Sequence, residues 1–209
     1  MNEQILRKLS YGVYVVSSFD TEKPTGCIIN SAIQVSYDTI AISVNHNNYT
    51  NLCINNSKRF ALSILGENCE DNIIPVFGFQ SGKDIQKFKD FETIEKCGLT
   101  VLKNSIGYIC CELINKMETE THTIFLGKIL DGDILREEEP MTYAYYHRVK
   151  KGKSPKNAPT FIEEKAETSS DIAYKCSICG YIYQGDIAKE DDNFICPICK
   201  QPKSVFVKI

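Results

Sequence analysis

The chain has 209 residues, 43% of them hydrophobic, and a formal net charge of −3. This length fits one ordinary domain with a small module, or two small domains, and the apolar content is enough for a packed core. The small net charge gives no long-range attraction toward nucleic acids, and no apolar run reaches the roughly 18 residues of a membrane span. We therefore expect neither nucleic-acid nor membrane partners. The N-terminus has no apolar signal segment, which predicts a cytoplasmic protein.

Short β-like runs separated by polar turns fill the N-terminal three quarters of the chain. These runs are residues 11–19, 27–35, 39–44, 59–65, 107–114 and 122–130. Several short strands at this spacing predict a β-barrel or a β-sandwich. Two short helices are expected between the strands, one over residues 47–57 with Asn47 or Asn48 as its N-cap, and one around residues 70–79.

The composition changes toward the C-terminal end. Residues 149–161 are basic and contain two prolines, which predicts an extended, ordered tail. The segment that follows has no apolar pattern and is typical of a linker. We predict a first domain over residues 1–162, a linker over 163–173 and a small metal-binding module over 174–209. A segment as short as this module rarely folds on hydrophobic burial alone, so the metal should supply much of its folding energy.

Two Cys-x-x-Cys pairs stand in the module, Cys176 with Cys179 and Cys196 with Cys199, and 16 residues separate the inner cysteines. Each pair points two thiolates at one spot, so two pairs make a four-sulfur cage that suits iron or zinc. Two disulfides are the alternative, which a reducing compartment disfavours. The other six cysteines have mainly apolar flanks and are expected in the core.

Aromatic residues surround the cysteine pairs in "YKCSICGYIY" and "CPICK". They are Tyr174, Tyr181, Tyr183, Phe194 and Phe206. With this pattern the module resembles rubredoxin, and the resemblance implies one iron held by four cysteine thiolates that carries one electron. The segment between the pairs is shorter than in stand-alone rubredoxins and is similar to the version attached to rubrerythrins. A zinc ribbon stays open as the alternative, because zinc ribbons share this spacing and also use aromatic residues.

A one-electron site needs a donor, and NAD(P)H delivers two electrons at once, so the first domain is a candidate flavin site. It contains neither a G-x-G-x-x-G fingerprint nor a P-loop. However, "GVYVVSSFDTEKPTGCIINSAIQVSYDTIAISVN", "DIQKF" and "ETHTIFLGKIL" resemble the flavin reductase family with the FMN-binding split barrel, over roughly residues 8–150. The tail "YAYYHRVKKGKSPKNAPTF" is similar to flavoredoxins and to high-molecular-weight rubredoxins. The predicted fold class is mainly β: an FMN-binding split β-barrel with short helices, plus a rubredoxin-like four-cysteine domain.

The resemblance implies FMN contacts from three segments. The segment "INSA" would line the flavin ring, and "NHNNYT" would lie near the ribityl chain and the phosphate, where a predicted helix begins. The segment "FGFQSGKDIQKF" would supply a lysine to neutralise the phosphate. The candidate cofactor-binding residues are Asn30, Ser31, Ala32, Asn45, His46, Asn47, Thr50, Gly78, Ser81 and Lys87. Alternatives stay open for four of them: Asn30 and Ser31 as turn or strand-edge residues, His46 as a surface histidine, and Lys87 as a solvated helix residue.

His122 in "ETHTIFLG" matches a histidine near the flavin and nicotinamide face, and it is the candidate catalytic residue. The implied role is positioning, because hydride moves directly from nicotinamide to flavin. A structural histidine is the alternative.

Together these resemblances imply an FMN-containing electron-transfer oxidoreductase. NAD(P)H or a separate reductase would supply the electrons, and the iron would pass them to a soluble acceptor such as a flavodiiron protein that reduces oxygen or nitric oxide. The family also implies a homodimer. Two alternatives stay open: a pure electron carrier reduced by a partner protein, and an NAD(P)H-dependent free-flavin reductase with a structural zinc ribbon.

Overall fold

The computed structural model describes residues 3–21, 23–150, 152–155, 158–160 and 173–209. Residues 163–172 of the predicted linker lie outside these ranges, and the strand that follows them begins at Ala173. A short 3-10 helix, Glu3–Lys8, precedes the first strand. Within the described ranges, no helix combines the length and the apolar character that crossing a membrane requires.

The described part of the first domain contains nine strands. They are β1 (Tyr14–Asp20), β2 (Lys23–Ile29), β3 (Ala32–Ser36), β4 (Thr39–Asn45), β5 (Arg59–Ile64), β6 (Thr93–Lys96), β7 (Leu99–Leu102), β8 (Gly107–Glu118) and β9 (His122–Ile134). Seven of them form one antiparallel sheet in the order β2-β1-β5-β8-β9-β4-β3, and β6 pairs with β7 as a separate hairpin. Each predicted run thus contains strand residues, although the run over residues 27–35 divides between β2 and β3, and β8 and β9 extend further than their apolar runs.

The two edges of the large sheet are β2 and β3, and only Asn30 and Ser31 lie between them. Three residue steps span at most about 11 Å, so the sheet must curl until its edges come close. The predicted run over residues 27–35 is therefore wrong as a single strand. Its first half pairs with β1 and its second half with β4, at opposite edges of the sheet.

The interior of this barrel is apolar, and strands from all around the sheet contribute to it. Its buried residues are Val16, Cys27, Ile29, Ile40, Ile42, Val44, Ile54, Phe60, Leu62, Cys111 and Phe125. Burying such side chains contributes roughly 1.5–3 kcal/mol for each large aliphatic or aromatic residue, so this cluster is a major contribution to the stability of the barrel. The expectation of a mainly β fold with a barrel-like first domain is confirmed.

Three helices flank the sheet in the described residues: α1 (Tyr49–Ser57), α2 (Ile73–Phe79) and α3 (Tyr143–Arg148). The first two were predicted, and Asn48 is the N-cap of α1. α3 was not predicted; it begins after Thr142, whose hydroxyl accepts a hydrogen bond from the Tyr145 N–H at 3.1 Å. This is an ordinary N-cap, but a helix of six residues gives too short a periodic pattern to stand out.

The prediction that the scattered cysteines belong to the core is confirmed for five of the six. The exception, Cys97, is half-buried in the turn between β6 and β7. The neighbours Cys110 and Cys111 point to opposite faces of β8, as strand geometry requires, and lie in two different apolar clusters. None of the ten cysteines forms a disulfide.

The C-terminal module forms a small three-stranded sheet from β10 (Ala173–Cys176), β11 (Ile182–Gln184) and β12 (Phe206–Lys208), with β10 in the centre. Its core is built around the four cysteines together with Ile187 and Phe206.

Candidate functional site

The four cysteines of the module lie together and are buried, with every sulfur within 4.8 Å of the others. The sulfurs of Cys176 and Cys199 are 3.7 Å apart, and those of Cys179 and Cys196 are 3.5 Å apart. A tetrahedral ion about 2.3 Å from each sulfur would place the sulfurs about 3.8 Å apart, so the cage fits one metal ion. Thiolates rather than thiols bind such an ion, so metal binding would release the protons of the four cysteines.

Both Cys-x-x-Cys turns repeat the same backbone pattern. In the first, the Gly180 N–H donates to the Cys176 carbonyl at 2.9 Å, and the Cys176 N–H donates to the Tyr181 carbonyl at 2.8 Å. In the second, the Lys200 N–H donates to the Cys196 carbonyl at 2.9 Å. A glycine directly after a Cys-x-x-Cys pair predicts a positive φ, because glycine adopts it without steric cost. Gly180 does so with φ +77°, and Lys200, with φ +58°, adopts the same backbone region without being glycine.

Replacing Lys200 with glycine should stabilise the module. A non-glycine residue in the left-handed region costs roughly 1–2 kcal/mol of stability. Glycine removes this cost, but it also loses more conformational entropy on folding, which offsets part of the gain. We expect Lys200→Gly to raise the free energy of unfolding by up to about 1 kcal/mol, measured by thermal loss of the metal-to-thiolate absorption. The reciprocal variant, Gly180→Lys, should lower it by a similar amount. Equal melting temperatures of Lys200→Gly and Gly180→Lys would contradict the conclusion that the left-handed backbone at these two positions favours glycine.

The predicted aromatic residues pack around the cage. Phe206 is buried, and its ring centroid lies 6.4 Å from that of Tyr181 and 5.8 Å from that of Phe194 in edge-on arrangements. Tyr183 packs edge-on against Phe194 at 5.5 Å. This apolar shell surrounds the sulfurs and limits water, which is one way a protein adjusts the reduction potential of such a site.

A second candidate site is a pocket of about 250 Å³ on the first domain, between the ends of β2 and β4, the start of α1 and the end of α2. It opens to solvent, so a ligand can extend beyond the enclosed volume. The aromatic rings of Phe77, Phe79 and Tyr143 give it apolar walls. Amides of Asn30, Asn45, Asn47 and Asn48 supply donors and acceptors. A planar heteroaromatic ring with a polar edge suits this combination.

Lys87 supplies the positive charge of this pocket. Its side chain is buried, and its Nζ donates to the Phe77 carbonyl at 3.2 Å. Burial lowers the pKa of Lys87 to about 8, an effect that the nearby Cys27 thiol opposes. Among the described residues that line the pocket there is no other lysine or arginine, and no aspartate or glutamate. A buried ammonium without a carboxylate partner fits an anionic group such as a phosphate.

The start of α1 lies in the same pocket. The Asn45 side chain accepts a hydrogen bond from the Asn47 N–H at 2.8 Å, which turns the chain into the helix. Behind it, the Asn51 amide donates to the Val44 carbonyl and to the Thr123 hydroxyl, both at 3.0 Å, and holds the helix against β4 and β9. The first N–H groups of α1 therefore supply a second feature that favours an anion beside Lys87.

Most of the residues predicted from sequence line this one pocket. They are Asn30, Asn45, Asn47, Thr50, Gly78, Ser81, Lys87 and His122. His122 lies at the start of β9, directly opposite Asn45 in the strand register, and its Nδ1 is 2.8 Å from the Thr121 hydroxyl. The fold thus brings distant segments together, and the individual roles given to these residues stay predictions.

Three predicted residues lie outside the pocket lining. Ser31 donates to the side-chain oxygen of Asn30 at 3.1 Å, so it supports a lining residue from behind. Ala32 opens β3 and packs against the barrel core. His46 is exposed, with its Nε2 3.1 Å from the Glu118 carboxylate. In each case the chain direction explains the placement, because adjacent residues at a strand end or turn point to different sides.

The tail closes one side of the pocket, through Pro155, Ala158 and Pro159. The Asn30 amide donates to the Thr160 hydroxyl at 3.2 Å, and that hydroxyl donates to Tyr143 at 2.7 Å. Sequence reasoning expected an ordered tail and left open a contact between its basic residues and a phosphate, but it did not place Pro155, Ala158 or Pro159 in the site. It also missed Cys27, Asn48, Tyr49, Phe77, Phe79, Gln80, Gly82, Tyr143 and Ile178 as lining residues. Asn48 could have been predicted from sequence, because it stands next to the predicted helix start. The aromatic lining residues could not, because in the sequence they resemble ordinary core residues.

Comparison with known proteins agrees with this two-site arrangement. The family described as "Flavin reductase like domain" matches residues 6–153, and "Rubrerythrin, rubredoxin-like domain" matches residues 174–207. The high molecular weight rubredoxin of Moorella thermoacetica is 34% identical over 229 aligned positions that span all of both chains. The chain belongs to the high-molecular-weight rubredoxin family. The predicted membership is thereby confirmed, and the four-cysteine cage of this high-molecular-weight rubredoxin homologue is a rubredoxin-like iron site.

A second relative matches mainly the first domain. The ferric-chelate reductase (NAD(P)H) of Archaeoglobus fulgidus is 32% identical over 171 positions, which are 79% of this chain and all of the relative. Among solved structures, the NADH:FAD oxidoreductase SgcE6 of Streptomyces globisporus superposes with a TM-score of 0.60 at 21% identity, over 68% of this chain and 88% of that one. The likeness confirms the fold. The rubredoxin homologue is thus an oxidoreductase whose flavin reductase-like and rubredoxin-like domains indicate electron transfer through a flavin.

Proposed function

We propose that the protein accepts electrons from NAD(P)H or from a reductase at FMN bound in the first domain, and delivers them through the four-cysteine iron to a soluble redox acceptor. The proposal rests on one observation. The same chain holds the four-cysteine cage and, next to it, a pocket whose lining suits an aromatic ring and a phosphate. Ile178, which stands between two of the cysteines, is itself a lining residue of the pocket.

The pocket supports FMN as the flavin. Lys87 and the start of α1 would hold the phosphate, and the Asn30 and Asn45 amides would meet the polar edge of the ring. A flavin accepts two electrons from a hydride donor and releases them singly, which is the chemistry that a one-electron iron site requires. The chain's own part is to orient the ring, to neutralise the phosphate and to limit water through the tail residues Pro155 and Pro159.

The proposal also specifies the electron donor and the electron acceptor. The name of the Archaeoglobus fulgidus relative includes NAD(P)H, and we propose the same donor here, with His122 positioning the nicotinamide. A flavodiiron-type oxygen or nitric oxide reductase is the acceptor that the family resemblance implies. The exposed carboxylate of Asp191 offers a negative group for a basic partner, whereas that of Asp192 accepts a hydrogen bond from Lys203 Nζ at 2.6 Å.

We also propose a homodimer. Large apolar side chains are exposed on the neighbouring strands β8 and β9, and on β3 and the turn after it, with β4 between β9 and β3. They are Ile33, Val35, Tyr37, Ile114, Met117, Leu130 and Ile134. Apolar surface concentrated on one set of strands supports an interface with a second copy. A cytoplasmic location accords with the six unpaired cysteines outside the cage, because a reducing compartment preserves thiols.

The main alternative is a free-flavin reductase whose module holds structural zinc, since a tetrahedral four-sulfur cage also suits zinc. A carrier without pyridine-nucleotide activity is the other. Visible absorption and metal analysis of anaerobically purified protein, before and after addition of NADH or NADPH, separates these. We expect one iron and one FMN per chain, both bleached by the donor. Stoichiometric zinc without iron would establish the first alternative, and a flavin that neither nucleotide bleaches would establish the second.

A further inference from the structure

The first Cys-x-x-Cys turn of the module contacts the pocket of the first domain. Ile178 lies between Cys176 and Cys179, is half-buried, and lines the pocket. Phe79, at the end of α2, lines the same pocket and also packs against the apolar core of the module. The pair Phe79 and Ile178 therefore joins the two candidate redox sites directly.

The second Cys-x-x-Cys turn faces the first domain as well. Pro197, Ile198 and Lys200 line a cavity of about 250 Å³ whose other walls include Ile74 of α2 and Tyr146 of α3. Burial is the largest cause that raises the pKa of Tyr146, and the Cys179 thiol is close enough to contribute. Both metal-bearing turns thus lie on one face of the module, which is turned toward α2 and α3.

Val207 and Ile209, in and after β12, line neither of these cavities and are 54% and 50% exposed. On the side of the module that faces the first domain, Phe79 packs against the core of the module, and apolar side chains of both domains line the two shared cavities, Ile178 with Phe79 and Ile198 with Ile74. Contacts of this composition favour association in water by roughly 25 cal/mol for each Å² of apolar surface removed. The arrangement is a docked state of the module.

We propose that the docked module narrows the opening of the flavin pocket through Ile178, so that docking and the entry of a nicotinamide donor exclude one another. This inference rests on the proposed function. A hydride donor must place its ring against a ligand already in the pocket, and Ile178 is a wall of that pocket that only the docked module supplies.

The test uses the full-length protein loaded with FMN and iron, and the variants Ile178→Ser and Phe79→Ser, which weaken the contact from opposite sides. Val207→Ser is the matched control, because this exposed apolar residue of the module lies away from the contact. Unchanged four-cysteine absorption certifies that each variant keeps its metal site. Two readouts follow: amide hydrogen exchange over residues 76–82, and the apparent KM for NADH and for NADPH.

We expect both contact variants to increase exchange over residues 76–82 and Ile178→Ser to lower the apparent KM about tenfold, as removal of a docked state populated nine-tenths of the time would do. Val207→Ser should behave as the wild type. Unchanged exchange in both contact variants would overturn docking, and increased exchange with an unchanged KM would overturn exclusion. If neither the wild type nor the variants oxidise NADH or NADPH, the proposed electron donor is wrong, and the proposed exclusion of that donor is overturned with it. The hydrogen-exchange data still decide whether the module docks.

Discussion

Replacing Cys196 with serine is expected to abolish native iron binding and to unfold the module, while FMN stays bound to the first domain. Loss of one thiolate leaves three ligands in a cage built for four. The module is small, and metal binding to cysteine sites of this kind contributes on the order of 10–16 kcal/mol of folding free energy. The change is measured by metal content, by visible absorption and by proteolysis within residues 174–209.

Cys97→Ser is the matched control, since Cys97 is a half-buried thiol of the first domain outside the cage. It should retain both iron and FMN. Loss of FMN together with iron in Cys196→Ser would contradict two separately folded sites. Retention of native four-sulfur absorption in that variant would contradict the assignment of Cys196 as a ligand.

Replacing Lys87 with methionine is expected to weaken FMN binding about 10- to 100-fold, because a charge-assisted contact to phosphate contributes roughly 1.5–3 kcal/mol. Riboflavin, which lacks the phosphate, should bind both proteins equally. The apoprotein should become more stable, since the burial that lowers the pKa of Lys87 disfavours its charge. Fluorescence titration and thermal unfolding without FMN give the two measurements, with the exposed Lys89→Met as the control.

The pH dependence follows from the same residue. Its folded-state pKa of about 8 lies below the ordinary value of 10.5, so below pH 8 the lysine is charged in both states and its burial costs stability in full. Between these values the folded protein has lost the proton that the unfolded chain keeps, so apoprotein stability rises with pH. FMN affinity should fall as pH rises through about 8, and Lys87→Met should lack this dependence. A Lys87→Met variant that binds FMN as tightly as the wild type would exclude the lysine from the phosphate site.

Sequence alone predicted the features that depend on local pattern. The alternation over residues 39–44 and 59–65 corresponds to β4 and β5, and the cysteine spacing gave the cage with all four sulfurs. Gly180 has the positive φ that its place after a cysteine pair requires.

The rest depended on contacts between residues far apart in the chain. Nothing local indicates that the run over residues 27–35 must change sheet edges at Asn30 and Ser31, because the reason is closure of the barrel. The hydrogen bond from Asn30 to Thr160 joins residues 130 positions apart. Ile178 at the flavin pocket follows only from how the module packs on α2, which no periodicity of either segment encodes.

The iron cage and the flavin pocket lie on one chain. This fixes the kinetic order of electron transfer between them. Two separate proteins would meet at a rate that falls with dilution, whereas two linked modules see each other at an effective concentration on the order of millimolar. For the electron transfer that we propose, passage from pocket to cage is first order in protein. A cell with only traces of the protein therefore transfers electrons internally as fast, molecule for molecule, as one that holds it in abundance.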